Sequence, residues 1–204
     1  MPAANAAGLL GAADRVSPSV AAVVASPARQ GSKLVGLTKP LTFDPIEEAR
    51  RQWIEHGWGG AADGMAVVTS VMRAQQIYLA RIDAVLRPFD LTFARFELLT
   101  LLSFTRAGAL PLSKAGTRLQ VHPTSVTNAV DRLEAQGLVR RLPHRTDRRT
   151  TLVEILPAGR RVLDEVTVAL NEQVFAAPGV SPTDAGKLFV LLRKVRAAEG
   201  DFGA

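Results

Sequence analysis

Residues 140–149 hold five arginines (Arg140, Arg141, Arg145, Arg148 and Arg149) against one acid, Asp147, where an even spread of the chain's basic residues would put about one. The whole chain carries a net charge of +6, and this decapeptide accounts for +4 of it, so the basicity is local. A guanidinium can give two parallel hydrogen bonds to phosphate oxygens, and a dense run of them suits a polyanionic backbone. The segment just before it suits a different partner. At about 100° per residue, Val126, Val130 and Leu133 fall on one face of a helix over 123–136. Thr124, Asn128, Asp131 and Arg132 point the other way, with Ser125 and Thr127 on the flanks. That outer surface is nearly neutral and made of short hydrogen-bonding side chains. It has the chemistry of base-edge contact in a major groove, where Asn addresses adenine, Arg addresses guanine and a Thr methyl meets the thymine methyl.

Other chemistries lack their residues. There is no cysteine, which removes disulfides, thiol catalysis, thiolate zinc sites and oxidation switches. His56, His122 and His144 are isolated from one another, and His122 reads as a helix cap rather than a catalytic base. Gly57, Gly59 and Gly60 have neither a preceding strand nor a following Lys-Ser/Thr, so they form no phosphate-binding loop. The expectation is a protein that is not an enzyme, with no cofactor and no metal. No apolar run reaches the ~18 residues of a membrane span, so no membrane partner is expected and the protein is placed in the cytoplasm. A pI near 10.5 favours nucleic acid as partner. A non-specific architectural binder is the rival reading, but such proteins spread their charge and carry apolar wedges.

The elements that must position these residues follow from periodicity and punctuation. Residues 1–43, rich in alanine and without a period, read as a mobile tail. Asp44-Pro45-Ile46-Glu47 has the form of a capping box that opens a helix running to about His56, and the 57–60 stretch should end it. A long helix is expected over about 64–87, stopped by Pro88. Thr92 should cap the next one, which carries Phe96, Leu98, Leu99 and Leu102. Ser113 should start a short third helix and Pro123 a fourth, which Gly137 closes. Strands over 138–142 and 151–155 flank the arginine-rich stretch, and two further helical patterns follow Pro157. The fold class is therefore mainly α with a small β-wing. Its order of helix, turn, outward-polar helix, strand, basic loop and strand is that of a winged helix-turn-helix over about 92–156. The apolar patterns over 64–87 and 157–197 are too extensive for that module to cover within one subunit, and they read as dimerisation helices.

These residues resemble the MarR family of bacterial regulators. The resemblance rests on Val130-Asp131-Arg132-Leu133-Glu134, Gly137-Leu138-Val139, Asp147-Arg148-Arg149 and Pro157-Ala158-Gly159-Arg160, and places a MarR-like domain at 61–204. It implies a cytoplasmic homodimer that binds a double-stranded operator through two recognition helices and two wings, and a repressor that lets go on binding a small anionic or aromatic molecule. The DNA-binding residues it implies, together with the outer face above, are Ser113, Thr124, Ser125, Thr127, Asn128, Arg132, Arg145, Asp147, Arg148 and Arg149, with Asp147 holding the wing loop. Ile155-Leu156 replaces the family's usual Leu-Thr, so the helix at Pro157 loses its Thr cap. The extra helix at 44–60 is similar to that of the urate-responsive subgroup, which implies effector contacts from Arg50, Arg51, Trp53 and Glu97; Arg95, between Phe93 and Phe96 on a mostly apolar helix, either faces an anionic ligand or lies at the surface. Glu97 matches that subgroup's acid, whereas Ala129 stands where it has an arginine, so urate itself is not expected. Trp53 reads as a packing residue for the added helix ahead of a ligand contact.

Overall fold

A computed structural model of the chain describes residues 41–203 apart from 145, 146, 148 and 149. The 1–40 part of the expected tail, and Arg145, Arg148 and Arg149 of the basic loop, lie outside the described residues. Helix α1 spans Pro45–Glu55, opened by the Asp44 carboxylate accepting from the Ile46 N–H at 2.8 Å. The other half of the expected capping box is not made, because Glu47 accepts from Arg50 instead. Gly57, at φ 83°, ends the segment, but the break is shorter than 57–60. Helix α2 runs over Gly59–Leu86 and takes Gly59, Gly60 and Gly64 into its first turns. Packing of α1 on this part of α2 outweighs the poor helix propensity of glycine: Ala62 is buried, and Trp58 meets Trp53 edge-on at 5.1 Å between centroids.

A 3-10 turn at Arg87–Phe89 and a left-handed Asp90 lead into α3, Phe93–Ser103. Thr92 precedes α3 without capping it; its hydroxyl accepts from Arg95 Nε at 3.3 Å. Then come β1, Ala109–Pro111, and α4, Leu112–Leu119, which starts one residue before Ser113. Helix α5 is Pro123–Ala135, with the His122 ring accepting from the Thr124 N–H at 3.3 Å and Gly137 left-handed just beyond. Strands β2, Val139–Pro143, and β3, Thr151–Ile155, form an antiparallel hairpin in which Val139 faces Ile155 and Pro143 faces Thr151. β1 adds to the other edge of β3, giving the order β1-β3-β2.

Helix α6, Pro157–Leu170, begins without a side-chain cap and ends in a π turn at Asn171–Phe175. Helix α7, Pro182–Ala198, is capped by Ser181, whose hydroxyl accepts from the Asp184 N–H at 3.1 Å. The core gathers Leu86, Leu98, Leu99, Leu102, Val126, Val130, Leu133, Val153, Val166 and Leu170, drawn from α2, α3, α5, β3 and α6. Backbone approaches closely at Gly159, where a Cβ would collide with the Leu138 carbonyl. α1 and α7 bury none of their residues. On α7, Phe189, Val190, Leu191 and Val195 are more than half exposed, as are Val67, Val68 and Met72 of α2.

Candidate nucleic-acid interface

α5 is anchored by Val126, Val130 and Leu133, each at most 2% exposed, and this fixes which way its other side points. Thr124, Ser125, Thr127, Asn128 and Arg132 are all exposed. The Thr127 hydroxyl donates to the Pro123 carbonyl at 3.1 Å. Among the described residues nothing bonds the side chains of Thr124, Ser125, Asn128 or Arg132, so their donors and acceptors are open to a partner. Asp131 differs from the rest of this face, because its carboxylate accepts from Arg141 Nη2 at 2.6 Å. Arg141 also donates to Glu134 through its backbone N–H at 2.9 Å and through Nη1. The backbone N–H leads in holding the Glu134 carboxyl below its ordinary value, and the guanidinium adds to it against the effect of burial. One arginine of the hairpin thus neutralises both acids of the recognition helix. Ser113 lies exposed in the first turn of α4.

The hairpin carries less open charge than its composition suggests. Arg140 pairs with Glu154, its cross-strand neighbour, at 2.5 Å, so both described arginines of the hairpin are bound within the fold. At the loop, the Asp147 N–H donates to the His144 ring at 3.2 Å. The Thr150 N–H and hydroxyl donate to the Asp147 carbonyl at 3.0 Å and carboxylate at 2.6 Å. Asp147 accordingly closes the loop base and leaves its own side chain exposed.

Of the five residues expected around an effector, Arg50, Arg51 and Trp53 stand on α1, where the two arginines line one cleft, and Arg95 and Glu97 stand on α3. Arg50 is paired with Glu47 at 3.2 Å and Asp63 at 2.7 Å, and Arg51 with Glu48 and Glu55 at 2.6 Å each. Four carboxylates therefore already surround the two guanidinium groups. Trp53 packs on Trp58. Arg95 donates to the Asp90 carbonyl at 2.8 Å. Glu97 lines a narrow recess of about 30 Å³ with Leu98, Leu119, Val121, Ser125 and Ala129, against the inner side of α5. Burial there pushes its carboxyl above the ordinary value, and no ion pair among the described residues offsets it. No group of three or more metal-ligating side chains is found among the described residues, and no helix among them is long and apolar enough to cross a membrane.

Three residues with a part in this site escaped the sequence reading. Arg141 had a legible signal, since Asp131 and Glu134 stand three apart on the helix preceding its strand. The others had none. Gln136, at the end of α5, donates to the Asp90 carbonyl at 2.9 Å and carboxylate at 2.8 Å. Gln120, in the α4–α5 turn, donates to the Asp201 carbonyl at 2.6 Å.

Comparison with known proteins converges on one group. The sequence model of the MarR family matches residues 91–151. The chain is 47% identical to Sco5413, a MarR family regulator of Streptomyces coelicolor; the match covers 70% of this chain and 99% of that one, with a TM-score of 0.64. It is 26% identical to BpsR of Bordetella bronchiseptica, whose DNA binding is regulated by 6-hydroxynicotinic acid, over 63% of this chain and 91% of that one, with a TM-score of 0.58. An uncharacterised HTH-type regulator of Bacillus subtilis, YhbI, is 30% identical over 87 residues, 43% of this chain and 55% of YhbI, so the chain spans about half the length of that relative. With its winged helix matched across the near-complete length of a 47%-identical regulator, the chain belongs to the MarR family of transcriptional regulators.

Proposed function

We propose that the protein is a dimeric, sequence-specific repressor that reads its operator with α5 and releases it on binding a small organic ligand. The observation that carries this reading is the outer row of α5. Thr124, Ser125, Asn128 and Arg132 are exposed and unbonded, on a helix whose inner row is fully buried. A non-specific binder has no use for such a row, because phosphate contacts position a protein without reading sequence. Asp147 sets the wing loop, and Arg145, Arg148 and Arg149, with Ser113, supply contacts to the flanking backbone and minor groove. The dimer is supported by the apolar faces of α2 and α7, which are exposed among the described residues. In such a dimer the two recognition helices lie about 34 Å apart, one turn of duplex.

Release by a small organic anion is in keeping with BpsR. At α1 such a ligand has to displace a carboxylate already on Arg50 or Arg51, with Trp53 to stack on. Arg95 and Glu97 act, on this reading, from the α3 side. Selection of duplexes from a randomised library, followed by competition with unrelated DNA, tests the function. The protein enriches a near-palindromic sequence and holds it against an excess of competitor. Equal loss to any duplex makes it an architectural binder and overturns the proposal.

A further inference from the structure

We propose that Gln120 and Gln136 are positioning residues that tether the two ends of the DNA-reading unit to the ends of α7 and α2, and so set the pose of α5. The inference rests on the operator-reading function above. Among the described residues only two besides glycine have left-handed backbone, Asp90 at φ 50° and Gln120 at φ 53°. Each sits in one of the two links. Gln120 occupies the end of α4, where glycine or asparagine is the unstrained choice. Glutamine there is conformationally costly, and its advantage is reach, since its amide nitrogen spans to the Asp201 carbonyl at 2.6 Å.

That acceptor is itself held firmly. Asp201 takes Arg196 on its carboxylate at 2.6 Å and donates its N–H to the Arg196 carbonyl at 3.0 Å. The guanidinium groups of Arg193 and Arg196 both lie 5.4 Å from the Phe202 ring. The link therefore ends on a folded terminus of α7.

The second link has the same character. Gln136 follows the last turn of α5 and gives its amide nitrogen to both the carbonyl and the carboxylate of Asp90, in the corner between α2 and α3. Arg95 donates to the same carbonyl at 2.8 Å. The amide oxygen of Gln136 is buried without a partner among the described residues, a cost that stability alone does not explain. The helix-turn-helix is thus held by one polar contact before α5 and one after it, each ending just beyond a helix whose apolar face the described residues leave uncovered. A change in how α2 and α7 meet a second copy reaches α5 through these two amides.

The test uses the full chain carrying Gln120→Gly, Gln120→Asn or Gln136→Leu. Binding is read by anisotropy on the duplex that the wild type selects from a randomised library, and on an unrelated duplex. Glycine and asparagine both relieve the left-handed strain, and asparagine is one methylene too short for Asp201, so neither lowers the thermal midpoint. Each variant should nevertheless bind the selected duplex about tenfold more weakly, the scale of one misplaced base contact, with affinity for the unrelated duplex unchanged. Variants that bind the selected duplex like wild type overturn the proposal. So does a fall in the thermal midpoint that accounts for the loss, since the glutamines would then be merely structural. A wild type that selects no duplex refutes the operator reading itself, an outcome distinct from either of these.

Discussion

At the scale of single residues, the division of labour on α5 makes separable claims. Asn128→Ala and Arg132→Ala each remove unbonded, exposed groups, so folding is unaffected; the expected loss is about 1 to 3 kcal/mol on the selected operator and little on random DNA, read by titration against both. Glu97 makes a claim about pH. Its carboxyl is pushed above the ordinary value of 4.5 by burial alone, so the folded protein disfavours the charged form. The resulting cost to stability builds as pH rises through that value and is absent below it, where folded and unfolded chains both hold the proton. Denaturation midpoints should show Glu97→Gln more stable than wild type at pH 7 and no more stable near pH 3. A constant difference across that range would mean that the carboxyl is not desolvated. The outer row of α5 was legible in the sequence because helical period alone decides which residues face away from Val126, Val130 and Leu133. The pairing of Asp131 was signalled only by its spacing from Glu134, and which arginine takes it depends on the register of a strand that the helical period does not give. Gln120 and Gln136 were illegible for a stronger reason: their partners lie 81 and 46 residues away in the chain.

At the scale of elements, most boundaries followed from proline and glycine, and the exceptions share a cause. β1 has three residues, too few to show any period, and exists because β3 offers it an edge. The early start of α2 likewise comes from a neighbour, since α1 and the Arg50–Asp63 pair hold the glycine-rich turns helical. The missing Thr cap before α6 was readable, and Leu156 indeed gives that helix no side-chain bond. What starts α6 is contact with the link between α5 and β2: the Leu156 N–H donates to the Leu138 carbonyl at 2.9 Å, and Gly159 packs beside that same oxygen. Gly159→Ala should cost roughly 1 to 3 kcal/mol, the range for overpacking, and should loosen α6 against the hairpin. Urea denaturation measures it, and a neutral effect would show that this contact relaxes freely.

At the scale of the whole molecule, α7 decides the behaviour. A 17-residue helix that buries none of its residues among the described residues gains little from folding alone, and the proposed dimer would cover its apolar side with a second copy. Phe189→Asp and Leu191→Asp place charge on the uncovered face. Light scattering should then show a monomer, and binding to the operator should fall by more than the loss of a single contact. For the wild type, the thermal midpoint should rise with protein concentration, as it does when folding and association are linked. A midpoint independent of concentration, together with a monomer in scattering, would leave the operator to be read by single subunits.

The separation of α2 and α7 along the chain also has a consequence during synthesis. α2 ends at Leu86 and α7 begins at Pro182. At roughly 5 to 20 residues per second, α2 leaves the ribosome many seconds before α7 exists. Throughout that interval the Val67, Val68 and Met72 side is sticky and unattended, and neighbouring nascent chains on one messenger carry the same side. On the proposed dimer, subunits would therefore be drawn to meet while still being made, which would favour pairing between products of a single transcript over pairing between strangers.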